Sequence, residues 1–160
     1  MNDRQFRNAM GKFVTGVTVI LTEVEGEAYG MTANSFMSVS LDPKLATVSI
    51  DYRASILSKI TESRSFTVNI LSDDQVELSK IFAGQLKEKS QVELERFDER
   101  PILPGALANI SCEVIADHIE GDHTLFIGKV TDVKLEDKNP LVFYGGKYHE
   151  LLTQTITEYR

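Results

Sequence analysis

The pattern of hydrophobic and polar positions predicts an amphipathic helix at the start of the chain. In the stretch "DRQFRNAMGKF", Phe6, Met10 and Phe13 recur at helical spacing. Asp3 is the expected N-cap, and Gly16 follows the last apolar position. The apolar face of this helix belongs either to the core or to an interface, and the pattern alone leaves both alternatives open.

Strand patterns dominate the rest of the chain. β-branched or alternating apolar runs predict strands in "VTVILT" (17–22), the segment that begins near Ala28, "LATVSI" (45–50), "SFTVNIL" (65–71), "NISCEVIAD" (109–117), "HTLFIGKVTDVKL" (123–135) and "PLVFYGGKYHEL" (140–151). A turn around Gly26 joins the first two strands, and a Gly-Gly pair interrupts the last one. In the alternating strand at 109–117, Cys112 is expected to face inward.

Two short helices are predicted at 53–63 and 73–84, and the charged residues 85–100 are interpreted as a surface excursion. Because consecutive strands follow one another without regular alternation with helices, we expect a mainly β, antiparallel structure that is closed or nearly closed into a barrel, with short peripheral helices. No repeat, low-complexity segment or linker divides the chain, so residues 1–160 are expected to form a single domain.

The composition narrows the classes of partner. A net charge of −7 and the absence of Trp disfavour nucleic-acid binding, which needs clustered cations and stacking rings. The single cysteine, Cys112, cannot form an internal disulfide, and the sequence has no signal peptide and no apolar run of membrane length. We therefore expect a cytoplasmic protein without membrane association, whose partner is a small molecule or another protein.

Common catalytic and metal-binding motifs are missing from the sequence. It has no Gly-rich nucleotide loop and no nucleophile elbow. His118, His123 and His149 lack the spacing of a zinc site, so no metal is expected.

The polar stretch "YGMTANSFMSVSLDP" (29–43) is the first candidate for chemistry. Its small residues would let a flat ring approach the backbone closely. Thr32, Asn34 and Ser35 offer donors and acceptors for the edge of a heterocycle, which suits a planar cofactor. The alternative is a strand that merely crosses between core and solvent.

Two further segments are also open to two interpretations. In "SIDYRAS", Arg53 and Ser55 lie where a strand runs into a helix, which indicates either an anion site or an ordinary helix cap. In "GDH", His123 is either exposed in a tight turn or presented at the mouth of the barrel.

Seven segments, taken in order, carry a resemblance that spans nearly the whole chain: "FVTGVTVI", "YGMTANSFMSVSLDP", "VNIL", "FAG", "GALANISCEV", "GDHTLFIGKV" and "PLVFYGGKYHEL". Together they resemble the short-chain NAD(P)H:flavin oxidoreductases, the reductase components of two-component aromatic monooxygenases of the phenol and 4-hydroxyphenylacetate type. The resemblance implies a flavin-reductase-like, FMN-binding split β-barrel, a homodimer, and an enzyme that uses NADH or NADPH to reduce FAD or FMN for a separate monooxygenase.

The same resemblance implies a set of cofactor-binding residues. The residues expected along the flavin are Thr32, Ala33, Asn34, Ser35, Ser49, Ile50, Asp51, Phe82, Ala83 and Gly84. The residues expected at the flavin phosphate are Arg53, Ala54 and Ser55, and those expected to face the nicotinamide are His123, Tyr144 and Tyr148. Met31 and Lys147 are expected in the same site. Two positions depart from the family pattern: Asn34 replaces a frequent Ser, and Ala54 replaces a frequent Lys or Arg.

No single catalytic side chain is expected, because stacked cofactors carry hydride transfer themselves. NADH is favoured over NADPH, since no Arg cluster beyond Arg53 is evident for a 2′-phosphate. The alternative function is a flavin-binding split barrel that acts as an electron carrier, a ferric reductase or a non-catalytic flavin sensor.

Overall fold

The computed structural model describes residues 1–86 and 92–152. Its helices are α1 (Asp3–Met10), α2 (Ile56–Ser63) and α3 (Val76–Phe82), with a 3-10 turn at Asp73–Gln75. Its strands are β1 (Thr15–Gly16), β2 (Thr18–Val24), β3 (Glu27–Ala33), β4 (Phe36–Leu41), β5 (Lys44–Asp51), β6 (Ser65–Ile70), β7 (Glu95–Phe97), β8 (Arg100–Ile102), β9 (Ala108–Glu120), β10 (His123–Leu135), β11 (Leu141–Tyr144) and β12 (Lys147–Glu150). The expected mainly β, antiparallel fold with short peripheral helices is confirmed.

Seven of these strands form one antiparallel sheet in the order β3-β2-β6-β9-β10-β5-β4. Its two edge strands, β3 and β4, are consecutive in the chain, and only Asn34 and Ser35 connect them. Two connecting residues span roughly 10 Å at most, so the twisted sheet has to bend round until its first and last strands approach each other there. A second sheet, in the order β1-β11-β12, joins the start of the chain to its C-terminal hairpin.

Strand β2 is covered on both faces, which places the core on either side of it. Ile20 belongs to a cluster with Phe66 and Phe126, whereas Val19 and Leu21 belong to a second cluster with other apolar side chains. Full burial of each such side chain stabilises the fold by about 1.5–3 kcal/mol. Cys112 is buried in the first cluster, as its inward position predicts.

The prediction for the first helix is wrong at both ends. Asn2, and not Asp3, is the N-cap: its side chain accepts a hydrogen bond from the Gln5 amide, while the Gln5 side chain accepts one from the Asn2 amide. The helix ends at Met10, so Phe13 lies outside it. No residue of α1 is buried, and its apolar face is therefore not part of the core of the described chain.

The surface excursion expected at 85–100 is only partly correct. Residues 87–91 lie outside the described part of the chain, but strands β7 and β8 form a short antiparallel hairpin in which Phe97 is paired with Arg100 and Glu95 with Ile102. The charged side chains of this segment do not indicate a hairpin. The hydrogen bonds of a β-ladder are made by backbone groups, which every sequence carries. Within the described ranges, no helix combines the length and the apolar character needed to cross a lipid bilayer.

Candidate functional site

The connection between β3 and β4 is fixed by a reciprocal pair of hydrogen bonds. The Ser35 hydroxyl donates to the Ser49 carbonyl at 2.6 Å, and the Ser49 amide donates to the Ser35 carbonyl at 3.1 Å. The Thr18 hydroxyl donates to the carbonyl of buried Ala33 at 2.6 Å. Asn34 lies between these anchors with an exposed side chain that makes no hydrogen bond to another described residue.

An apolar cavity of about 380 Å³ opens beside Asn34. It is lined by Phe13, Val14, Thr15, Gly16, Thr18, Asn34, Phe36 and Ile70. The Thr15 hydroxyl is buried and has no hydrogen-bond partner within the described residues. A cavity with apolar walls and a few polar groups is typical of sites for flat organic ligands.

Neighbouring residues on β3 point to opposite faces of the sheet, so Met31 and Thr32 are separated. Met31 packs against the core cluster that contains Phe66. The Thr32 hydroxyl donates to the Ser79 carbonyl of α3 at 2.7 Å. Because the protons of Thr32 and Ser35 are both used internally, these hydroxyls can only accept hydrogen bonds from a ligand.

A charged cluster lies where the end of β5 is beside the start of β10. Asp51 is paired with His123 in the β5–β10 ladder. Arg53 binds the Asp51 carboxylate through two N–H groups, at 3.0 and 2.6 Å, and through its backbone amide at 2.8 Å. These bonds hold the pKa of Asp51 well below its ordinary value. The His123 Nδ1 atom lies 2.7 Å from an Asp122 carboxylate oxygen.

The predicted phosphate residues occupy the loop that leads into α2. The Ser55 hydroxyl is exposed at the start of this helix and makes no capping hydrogen bond. Ala54 packs partly against the core, and the Ile50 side chain is fully buried. Ser55 and Arg53 therefore present side-chain donors here, whereas Ile50 can contribute only backbone groups.

Helix α1 lies across an open cavity of about 700 Å³ from this charged cluster. Asp51, Arg53 and His123 line one wall, and Phe6 and Arg7 are among the α1 residues that line the other. Sequence reasoning did not identify Phe6 or Arg7 as site residues, because nothing in a helical repeat indicates which distant strand the helix will face.

The residues predicted in the C-terminal hairpin are divided between surface and interior. The Tyr148 hydroxyl lies 2.8 Å from the Ser79 hydroxyl, and its ring packs edge-on against Phe143. Tyr144 and Lys147 are exposed beside the Gly145–Gly146 turn. Tyr148 is therefore held against α3, while Tyr144 and Lys147 are accessible.

The three predicted residues at the end of α3 lie on the opposite side of β3 from the core cluster of Phe66. Phe82 packs against Gly30, where an added Cβ would come within 2.6 Å of its ring. Ala83 and Gly84 are exposed, and Gly84 has a positive φ of 74°. Gly30 thus permits the close approach of α3 that brings Phe82 and Thr32 together.

The available donors fit a flavin better than a metal ion. Asn34, the apolar cavity beside it, Ser55 and Arg53 offer a polar edge, apolar walls and a cationic group, which are the features that a ring with a phosphorylated side chain requires. By contrast, in residues 1–86 and 92–152 no three His, Cys, Asp or Glu side chains are grouped so that they could hold a metal ion.

Comparison with known proteins gives a consistent result. The family description "Flavin reductase like domain" matches residues 10–152. An "NADH-dependent flavin reductase" of Rhodococcus is 44% identical over 91% of this chain and 84% of its own length. The reductase component of 4-hydroxyphenylacetate 3-monooxygenase from Thermus thermophilus is 36% identical over 92% of this chain and 95% of its own length. The solved structure of flavin reductase PheA2 superposes with a TM-score of 0.94 at 56% identity, covering 96% of this chain and 100% of that one.

Proposed function

The chain belongs to the flavin reductase-like domain family, and we propose that it is an NADH:flavin oxidoreductase that supplies reduced FAD or FMN to a separate aromatic monooxygenase. The observation that carries this proposal is the junction at Asn34 and Ser35, where an apolar cavity meets polar groups held by a rigid backbone. The name of the Rhodococcus relative, an NADH-dependent flavin reductase, supports the proposed activity. The name of the Thermus thermophilus relative, a monooxygenase reductase component, supports the proposed partner.

Binding and orientation are the contributions of the chain to this reaction. When bound, the flavin and the nicotinamide themselves supply the redox chemistry. Asn34 and the backbone around Ser35 would hold the ring edge of the flavin, and Arg53 and Ser55 would hold its phosphate. His123 would face the nicotinamide across the cavity that α1 borders. Orientation of this kind can lower the barrier by several kcal/mol, up to about 7–11 kcal/mol in ideal cases.

The remaining predicted contacts complete this arrangement. Met31, Thr32 and Ala33 would support the flavin through β3, and Ser49, Ile50 and Asp51 through β5, with Ala54 in the phosphate loop. Phe82, Ala83 and Gly84 would border the flavin or its adenosine, while Tyr144, Lys147 and Tyr148 would border the nicotinamide nucleotide. No side chain is assigned an acid or base role.

The protein is further proposed to form a homodimer. Helix α1 exposes Phe6 and Met10, and the edge strand β4 exposes Met37, Val39 and Leu41. Exposed apolar side chains on an uncovered edge strand invite association, and a closed twofold contact would cover them. A single domain is supported by the family match across residues 10–152. The use of NADH and the unpaired Cys112 support a cytoplasmic location.

The test is oxidation of NADH by the purified protein with free FAD or FMN, in the presence and absence of a ferric chelate. A reductase that releases its flavin oxidises NADH with free flavin alone, and the rate increases with flavin concentration until the site is saturated. If NADH is oxidised only when the chelate is added, the protein is a ferric reductase. If flavin binds but NADH is not oxidised under any condition, the carrier or sensor function replaces the proposal.

A further inference from the structure

Ser79 of helix α3 joins strand β3 to the C-terminal hairpin through side-chain hydrogen bonds. Ser79 is fully buried. Its carbonyl accepts a hydrogen bond from the Thr32 hydroxyl of β3 at 2.7 Å, and its hydroxyl oxygen lies 2.8 Å from the Tyr148 hydroxyl oxygen of β12. Both β3 and β12 are therefore tied to the same residue of α3.

The hydroxyl of Ser79 is used by Tyr148 and not by helix α3. Among the described residues, the hydroxyl's one hydrogen-bond partner is Tyr148. Inside a helix, alanine is favoured over serine, because the serine hydroxyl competes for backbone groups. A buried hydroxyl also costs stability unless it has a partner. Serine at this position therefore suits the fixing of Tyr148 better than it suits the formation of α3.

Strand β12 needs such a bond because it is the outer strand of the sheet β1-β11-β12 and pairs only with β11. A second hydrogen bond from its side chains, between His149 Nε2 and the Tyr144 carbonyl, stays within the hairpin. The Tyr148 ring also packs on the second core cluster, but apolar packing is not directional, whereas a hydrogen bond is. In the described part of the chain, the bond to Ser79 is thus the side-chain hydrogen bond that fixes β12 to the body of the protein.

The two elements that Ser79 joins carry different parts of the proposed site. Strand β3 leads to the flavin contact at Asn34, and Tyr148 borders the nicotinamide nucleotide. Hydride transfer depends steeply on the separation and alignment of the two rings, so a small displacement of one wall relative to the other slows it. We propose that Ser79 is a positioning residue, which sets the place of the hairpin relative to β3 and thereby the rate of hydride transfer, an inference that rests on the proposed function.

The experiment removes the bond from each side, with Ser79→Ala, Tyr148→Phe and the double variant. Alanine is smaller than serine and favours a helix, so S79A is expected to fold. Ser63→Ala is the matched control, because the Ser63 hydroxyl of α2 lies 2.7 Å from the Thr22 hydroxyl of β2 and neither residue is assigned to a cofactor. Stopped-flow absorbance gives the single-turnover rate of flavin reduction at saturating NADH, which separates the chemical step from NADH affinity. A fluorescence titration gives the Kd for FAD, and urea unfolding gives the stability.

S79A and Y148F are each expected to slow single-turnover reduction about ten-fold. The double variant should be no slower than either single variant, because all three lack the same bond. The Kd for FAD should stay unchanged. S63A should shift the urea midpoint as S79A does but keep the wild-type rate of reduction, so loss of a buried hydroxyl pair is not itself the cause.

Four results would overturn the role of Ser79. Equal slowing in S63A and S79A would show a merely structural role, and slowing in Y148F but not in S79A would show that the tyrosine hydroxyl acts on the cofactor directly. A double variant slowed by the product of the two single effects would show that the residues act independently. Slowing that disappears when S79A is saturated with FAD would assign Ser79 to flavin affinity alone. If the wild type does not reduce flavin with NADH, the proposed function itself fails; if the wild type is active and S79A reduces flavin as fast as S63A, only the inference about Ser79 fails.

Discussion

Ser35 and Ser49 are joined by two hydrogen bonds in opposite directions, from hydroxyl to carbonyl at 2.6 Å and from amide to carbonyl at 3.1 Å. This pair continues the β4–β5 ladder by one residue beyond Phe36 and Val48, at the point where the two edges of the main sheet approach each other. It therefore fixes the backbone on which the proposed flavin contacts of Asn34 depend. Stability and cofactor binding should be coupled at this position.

Replacing Ser35 with Ala should weaken both properties. Loss of one hydrogen bond is expected to lower the free energy of unfolding by about 1 kcal/mol and to raise the flavin Kd several-fold. Urea unfolding and a fluorescence titration with FMN measure the two effects. Ser38→Ala is the matched control, because Ser38 is exposed on β4 and makes no side-chain hydrogen bond with the described residues. If S35A and S38A have the same free energy of unfolding and the same flavin Kd, the Ser35 hydroxyl has neither of the proposed roles.

The pair of Asp51 and Arg53 predicts a dependence on pH. Because Arg53 depresses the pKa of Asp51, the pair stabilises the folded state at pH values above the ordinary carboxyl pKa of 3.8. This stabilisation is lost progressively as the pH falls from that value through the lowered pKa of the folded state, where Asp51 itself becomes protonated. In Arg53→Gln, the pKa of Asp51 should rise toward its ordinary range. Carbon-13 NMR of the Asp51 carboxyl group between pH 2 and 6 measures this pKa. If the titration of Asp51 is the same in R53Q as in the wild type, Arg53 is not the cause of the lowered pKa.

His123→Ala should impair nicotinamide binding without abolishing the chemistry. Since His123 is proposed to orient the nicotinamide and not to transfer a proton, the KM for NADH should rise about ten-fold while single-turnover reduction of bound flavin persists at saturating NADH. Stopped-flow absorbance at the oxidised flavin band measures this reduction. If reduction is lost although both cofactors still bind normally, the claim that no side chain is indispensable is wrong.

Charge on the edge strand should disrupt the proposed homodimer. Light scattering of the wild type should give twice the chain mass of 17.9 kDa. Val39→Lys places an ammonium group among the exposed apolar side chains of β4 and should shift the protein toward the monomer. Val133→Lys is the control, because Val133 is 44% exposed and Val39 45%. A dimer that survives V39K but dissociates in V133K would place the interface elsewhere.

Local patterns were enough to predict much of the sheet. The alternation around Cys112 identified β9 and the inward position of Cys112, although Ser111 on the opposite face is also fully buried, and the turn before His123 separated β9 from β10. Both signals lie within a few residues, which is the range over which side-chain periodicity acts. The segment containing Asn34 and Ser35 was singled out because its many small polar residues are unusual within a strand, and its role as a cofactor site stays a prediction.

Features that depend on distant contacts were not predictable in this way. The position of α1 opposite His123 arises from tertiary packing, so Arg7 and Phe6 were missed. Strand β1 pairs with β11, with Thr15 opposite Phe143, and no local pattern specifies a partner so far along the chain. The role of Gly30 likewise becomes visible only when Phe82 is packed against it.

An anaerobic titration of the protein with NADH in the presence of excess FAD tests the central claim most directly. The proposed reductase should bleach the oxidised-flavin absorbance of many equivalents of FAD, with one NADH consumed for each flavin reduced. If FAD binds to the protein but stays oxidised with both NADH and NADPH, the chain does not catalyse flavin reduction and the account is contradicted.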